Sequence, residues 1–430
     1  MSPKLSFILC LTTLCMLALT ACSQSRTPLA QLSATMASLP DLSGEDGIRP
    51  IPSRGAGPAL TTAKHQLRDW IETELTSGDY RESPDIKADA FAAKINSDLK
   101  AAGIRTRPVQ MWGATGVLVV VTSFDIVCGT DDSIYGWSWD GKAWRRAIEH
   151  EITDYTPDHY QPESFDGLEK VRFARVNAGS DARLYVLATA VNTWCSSGWL
   201  GRRFQLYDLD RTTAQAKLLI DSDVPANVLE GDRNASLSSN RMVIEFTGGD
   251  FEPRKMPFGK RASVFALDDG KVTPVPWAAA DAEDFTEQWL SSPWPQSATV
   301  SAPGNPSLEK WHGRLHDLAG KPKTGTWSSF ADAVRCRSDP DLWQYGIIFG
   351  TLKPHADLVA TSNATKCRHV PGQPPDSCTM VTAPRLLDRL KEDFVHSSVV
   401  YFIVREISPN MFSMRNIREV PGPSCPVMGG

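Results

Sequence analysis

The 430-residue sequence lacks the short signatures that announce most reactions. It has no G-x-S-x-G turn, which excludes the strand-to-helix nucleophile of an α/β-hydrolase. It has no P-loop and no strand-linked G-x-G-x-x-G, so nothing in it is built to cradle a nucleotide phosphate. C-x-x-C is absent, which removes the usual redox and zinc spacings. H-E-x-x-H is absent as well: the nearest approach is His150-Glu151, with Asp154 where the second histidine belongs. An excess of charge of one sign is also lacking. A net charge of −5 creates no basic field and excludes a dedicated nucleic-acid binder. Nine cysteines are too few for a disulfide-dense scaffold, and a chain this long buries a core without them. What remains is an ordinary globular composition, 41% hydrophobic and 22% charged, with room for two or three domains.

One long apolar run exists. Lys4 precedes residues 5–19, a stretch of signal-peptide length and shorter than the roughly 20 residues that span a bilayer. It ends in Leu19-Thr20-Ala21-Cys22, an aliphatic residue and two small ones before cysteine. This resembles the lipobox of bacterial lipoproteins, and the resemblance is confined to the first 22 residues. It implies that residues 1–21 are removed as a signal peptide, that the Cys22 thiol takes a diacylglycerol, and that the new amine is acylated. Several acyl chains exceed what stable anchoring requires. Ser23, rather than aspartate, implies an outer-membrane lipoprotein facing the periplasm. Residues 23–58 are rich in Ser, Pro, Ala and Gly and read as a flexible tether, so 22–58 forms a lipidated cysteine plus tether. Such a tether reaches on the order of 30–35 Å.

Cleavage changes the cysteine arithmetic. Cys10 and Cys15 leave with the signal and Cys22 carries lipid, so Cys128, Cys195, Cys336, Cys367, Cys378 and Cys425 remain. An even number in an oxidising compartment predicts up to three disulfides.

Residues 59–276 read as one domain, a helical hairpin followed by β-meanders. Leu60, Ala63, Leu67, Trp70, Ile71 and Leu75 recur at helical spacing. Ser83-Pro84 then reads as a cap with Pro at the first helical position, Phe91, Ile95, Leu99 and Ala102 as the stripe, and Gly103 as the stop. From 104 onwards the period becomes that of strands. Residues 118–128 (LVVVTSFDIVC) align without gaps on 185–195 (YVLATAVNTWC), and 242–247 with 263–267 form a weaker third copy. Asp140-Gly141-Lys142 and Asp269-Gly270-Lys271 mark matching hairpin turns. Three β-meander units follow from this. Their self-similarity resembles propeller blades in architecture, but three are too few for a closed propeller, and a sandwich fits equally well. Cys128 and Cys195 share a repeat position, which predicts a bond between neighbouring strand ends.

Residues 277–304 shift to Ala, acidic, Pro and Ser residues and read as a linker; 305–430 then reads as a small α+β domain. Its expected elements are helices over 307–318 and 326–336, a strand over 342–352, a Pro-rich loop holding Cys367 and Cys378, a helix over 384–394, and strands over 399–407 and 411–420. The order looks somewhat like cystatin or nuclear-transport-factor-like cone folds, which implies no function. Cys367–Cys378 would staple the loop, leaving Cys336–Cys425 to pin the tail. The fold class is therefore α+β and β-rich.

Three groups of residues are candidates for function. His150, Glu151, Asp154, Asp158 and His159 form a dense polar cluster that becomes a metal or hydrolase site only if two or more converge, and is otherwise a surface loop. His312 and His316 stand at i, i+4 and can share a ligand, or are helix polar residues. Trp137, Trp139, Trp144, Arg145, Trp199 and Arg202 form a candidate binding surface, since Trp and Arg dominate interface hot spots; the same rings also suit a β core. The expectation is a non-enzymatic protein-binding lipoprotein with no cofactor, no metal and no catalytic residue. It binds the membrane through its lipid and a protein partner in the periplasm. An immunity protein or inhibitor of a toxin or hydrolase fits this description. The alternatives are an envelope-assembly scaffold and an envelope hydrolase using the His150–His159 cluster.

Overall fold

The computed structural model describes residues 27–39, 56–77, 80–81, 83–126, 129–153, 155, 168–176, 182–192, 199–227, 234–248, 259–319, 326–329, 333–336, 339–352, 367–368, 379–380 and 394–420. The chain divides into two compact units, residues 1–168 with 210–216, and residues 169–209 with 217–430. The protein is a β-rich α+β protein, in line with the strand periodicity of its sequence.

Unit one begins with α1 (Pro28–Ala37), α2 (Ala56–Thr76) and α3 (Ala88–Ala101). Helix α1 lies inside the stretch expected to be a flexible tether. Thr27 caps it, accepting from the Ala30 amide at 3.3 Å, with Pro28 in the first turn. Leu32 is fully buried in the same core as Leu60, Leu67 and Ile71 of α2, which is what holds so short a helix in place. The expected stripe of α2 is buried as read. Helix α3 starts four residues later than Ser83-Pro84 suggests. Lys87 is its cap position, and Ser83 instead accepts from the Asp85 amide in a local turn. Gly103 ends the helix with φ of 72°, the left-handed geometry that favours glycine.

Strands β1 (Gln110–Ala114), β2 (Val117–Ile126), β3 (Gly129–Trp139) and β4 (Trp144–His150) form an antiparallel meander in that order. Strand β2 is buried on both faces along nearly its whole length, as a continuous apolar run requires. Leu118, Val120 and Phe124 share the helices' core, with Tyr135 and Trp137 of β3 opposite Val120 and Leu118. Gly136 sits at a register shift in the β3–β4 ladder. A Cβ there would come within 2.8 Å of the Ile148 Cβ, so only glycine permits this approach.

Unit two holds two further four-stranded sheets. One is β5 (Leu168–Arg175), β6 (Arg183–Asn192), β7 (Trp199–Asp210) and β8 (Gln215–Asn227), ordered as in the chain. The other is β9 (Ala235–Leu237), β10 (Arg241–Gly248), β11 (Gly259–Asp268) and β12 (Lys271–Pro274), also sequential. Alternate residues of the two sheets, Tyr185, Leu187, Phe204 and Leu206 with Met242, Ile244, Phe265 and Leu267, make one core. The Asp269-Gly270 turn takes positive φ at both residues (41° and 80°), as a two-residue hairpin demands. It docks on the preceding sheet: Arg183 bonds Asp208 and reaches Asp269 at 2.5 Å, and the Gly270 amide donates to the Tyr185 hydroxyl.

The stretch 277–304, expected to be a linker, is instead structured. It forms α4 (Ala282–Ser291), α5 (Trp294–Ser297) and a 3-10 turn (Ala298–Val300). Helix α6 (Pro306–Ala319) follows, close to the expected 307–318. The helix expected over 326–336 is also corrected: β13 (Thr326–Ser329) and β14 (Val334–Cys336) both pair with β15 (Asp339–Leu352). Pairing with a long neighbour overrides the helical spacing of those residues. Next come a two-residue pairing of β16 (Cys367–Arg368) with β17 (Thr379–Met380), then β18 (Phe394–Ser408) and β19 (Met411–Arg418). The larger sheet runs β13-β15-β18-β19. Phe285 and Trp289 of α4 and Leu308 and Leu315 of α6 pack on its alternating inner residues Tyr345, Ile347, Phe349, Val400, Phe402 and Val404. The helix expected over 384–394 lies, except at the start of β18, outside the described residues.

Candidate functional site

A buried polar cluster lies in unit one, and the helix stripe of α2 creates it. Lys64 falls four residues after Leu60 and three before Leu67, squarely on the buried face, and is 0% exposed. Asp131, Ser133, Tyr135 and Trp137 alternate along β3, so Asp131 shares the face of the buried Tyr135 and Trp137. The two charges meet: Lys64 Nζ lies 2.6 Å from Asp131 Oδ1 and donates to the Ile152 carbonyl at 3.0 Å. The Tyr155 hydroxyl donates to the other Asp131 oxygen at 2.8 Å, and its ring lies 5.2 Å from the ammonium.

A second carboxylate, Glu151, is the chain neighbour of Ile152, whose carbonyl Lys64 meets. Glu151 accepts from the Tyr135 hydroxyl at 2.5 Å through Oε2, and its Oε1 meets His65 Nε2 at 2.5 Å. Arg68, one helical turn beyond Lys64, reaches Glu149 at 2.5 Å and Glu151 at 3.8 Å. Burial, joined by the charge of Glu151, pushes the Tyr135 phenol well above its ordinary range, so it stays a proton donor. His65 is 42% exposed and Glu151 only 7%, so the imidazole is the cluster's face to solvent. A histidine whose nitrogen is fixed by a carboxylate can act as a base, or can simply close an ion-pair clasp.

The polar cluster expected over 150–159 is thereby divided. Glu151 joins residues from α2 and β3, His150 ends β4 opposite Ile134, and Asp154, Asp158 and His159 lie outside the described residues. Lys64, His65, Asp131 and Tyr135, which sequence reasoning missed, are its real partners. A lysine set on an apolar helical stripe was the available signal, because a buried ammonium demands a carboxylate.

The candidate aromatic surface is corrected by burial. Trp137 is 0% exposed, packed against the helices, and Trp144 is also buried, with its Nε1 donating to the Tyr80 carbonyl at 3.1 Å. Arg202 is 1% exposed and donates to the Glu245 and Asn234 carbonyls between strands. Large rings and a guanidinium stem gain more from these cores than from water. Trp139 is half-buried, its ring edge-on to Trp144 at 5.8 Å, and Arg145 is exposed beside Asp140. The Trp199 side chain lies outside the described residues.

His312 and His316 do come together, with stacked rings 5.2 Å apart. Their bonds show a structural task. His312 Nε2 faces the Trp289 and Ser292 carbonyls at 3.1 and 2.9 Å, and His316 Nδ1 the Leu290 carbonyl at 2.8 Å. They cap the orphan carbonyls at the end of α4. Burial lowers the His312 pKa, keeping it the neutral donor that this role needs. Among the described residues no group of three or more His, Cys, Asp or Glu is placed to hold a metal ion.

Cys336 is buried against Ile403 and Leu342 and is one half of a disulfide. The side chains of Cys22, Cys128, Cys195, Cys367, Cys378 and Cys425 lie outside the described residues, so the expected pairings with each other and with Cys336 lie there too.

A β-rich α+β body carrying an internal charge cluster is the class these features define. No protein-family model matches the chain. No curated protein matches it either. Among solved structures it is similar to a protein of Bacteroides ovatus described as a putative glycoside hydrolase, at 12% identity over 57% of this chain and 83% of that one. The TM-score of 0.14 is too low for the likeness to carry any argument. No described helix is long and apolar enough to cross a membrane.

Proposed function

We propose that this protein is a lipid-anchored, periplasm-facing lipoprotein that binds a protein partner and performs no chemistry of its own, as an immunity protein or inhibitor of a toxin or hydrolase does. The observation that supports this reading is the use made of Glu151. Both its oxygens are engaged, by Tyr135 and by His65, and the neighbouring Lys64 is closed off by Asp131 and the Ile152 carbonyl. The groups best suited to acid–base work are committed to joining α2 to the first meander. Each unit carries antiparallel four-stranded meanders, a regular scaffold of the sort on which binding loops are displayed. An envelope-assembly scaffold would use the same meanders.

The rival reading, an envelope hydrolase, draws on the half-exposed His65 held by Glu151. The His65→Ala variant separates the two. It removes an exposed ring and leaves Lys64–Asp131 intact. Where a toxin acting in the periplasm is found encoded beside this gene, cells challenged with it are expected to be protected by the variant as well as by the parent. If the purified parent cleaves peptidoglycan or a lipid ester and His65→Ala loses about 100-fold or more, the binding-protein reading fails.

A further inference from the structure

The expected long tether contains a docked helix, and this limits how far unit one can sit from Cys22. Only residues 23–26 separate Cys22 from Thr27, the cap of α1. Fully extended, that connection spans at most about 18 Å. Beyond Thr27 the chain is committed to unit one. Leu32 is buried in its core, Leu29 and Met36 pack beside it, and the Ser33 hydroxyl donates to the Ala102 carbonyl at 3.2 Å. Ser33 is six residues along the helix from Thr27, a rise of about 9 Å. The corner between α3 and β1 is therefore tied to within about 30 Å of Cys22. That corner is basic: Lys100 and Arg105 are exposed, Arg107 bonds Asp125, and Asp98 is engaged by Lys94.

We infer that unit one rests on the membrane surface through the start of α1 and the 100–105 corner, with Lys100 and Arg105 among anionic lipid headgroups. The inference rests on the lipoprotein reading, since it needs acyl chains on Cys22. It follows from chain length and from charge. A connection this short keeps the corner within about 30 Å of the bilayer, and exposed cations that come within a Debye length of an anionic surface are held there. Acyl chains plus basic residues form the two-signal arrangement that fixes a protein to a membrane. Unit one is then held in one orientation instead of roaming on a long leash.

The test uses the full mature acylated protein in vesicles of phosphatidylethanolamine and phosphatidylglycerol carrying a headgroup-linked quencher. A fluorescent residue replaces Ala101, which is exposed at the end of α3. Its emission is expected to be quenched at least threefold more strongly than in a variant with a 40-residue Gly/Ser insert between Cys22 and Thr27. The double variant Lys100→Glu/Arg105→Glu is expected to lose about half of the quenching. Equal quenching with and without the insert, in protein shown by mass spectrometry to be acylated, overturns the inference and leaves the anchor standing. Protein that mass spectrometry shows to be unacylated overturns the lipoprotein reading, and the inference with it.

Discussion

Lys64 and Asp131 illustrate the cost of placing charge where the fold wants an apolar side chain. Both are almost fully buried, and they meet across 67 positions of sequence. Asp131→Ala strands a buried ammonium and takes a partner from Tyr155. It is expected to cost about 3–5 kcal/mol, read from urea unfolding at neutral pH. Replacing both partners, Lys64→Met with Asp131→Leu, should restore most of that loss, because no uncompensated charge remains. An Asp131→Ala protein within ~0.5 kcal/mol of the parent would show that water reaches the ammonium. At this scale the sequence hid more than it displayed. Tyr135, Trp137 and Arg202 are chemically suited to recognition, and nothing local distinguishes an aromatic that faces solvent from one that faces a helix two elements away. For Tyr135 and Trp137 the alternation of β3 and the position of α2 decide it, and for Arg202 the Asn234 and Glu245 carbonyls do.

Helix α4 is the element whose role was least visible. Its Ala-, acid- and Ser-rich surroundings imitate a linker, yet its start was legible. Asp281 accepts from the Glu283 and Asp284 amides, and acidic residues fill the first turn. The acids have a second use: Arg261 of β11 pairs with both Asp284 and Glu287, tying the third meander to this helix. Tyr345 of β15 bonds Glu283 at 2.9 Å, and the faces of β18 and β19 in this core are apolar. Burial pushes the Glu287 carboxyl up to about 8 against the pull of Arg261, with Glu283 and Asp284 adding to the rise. The unfolded chain ionises near the ordinary value of 4.5, so the folded state holds the extra proton between the two values. The stability this contributes is full below about 4.5 and is lost as pH rises through about 8. Unfolding free energy should therefore fall between pH 5 and 8 by an amount on the order of a few kcal/mol. In Glu287→Gln that slope should flatten, and a slope unchanged by the substitution would place the titrating group elsewhere. The helices α2 and α6 were readable because their apolar stripes are intact. The short strands β13 and β14 were not, because their partner β15 supplies the reason they extend.

For the whole molecule, the address and the body make separate claims. Cys22→Ala removes the only thiol that the lipobox presents for acylation, so the variant should leave the membrane fraction and stay folded. Far-UV circular dichroism alongside fractionation would show both, and a variant that remained membrane-bound would remove the lipoprotein reading. The sequence suggested one body on a long leash, with a linker at 277–304. The structure places helices in each of those stretches, α1 packed in the core of unit one and α4 in that of the C-terminal sheet.

By itself the sequence determined the helical stripes of 60–75 and 91–99, the serial meanders and their Asp-Gly turns. All of these are periodicities or motifs written within a dozen or so neighbouring residues. Tertiary structure alone decided that Lys64 finds Asp131, that Glu151 is clasped by His65 and Tyr135, that Trp137 and Arg202 turn inward, and that α1 and α4 are packed helices. In each case the deciding partner is distant in the chain. Burial and charge pairing are settled by what the fold brings alongside, which local composition does not encode.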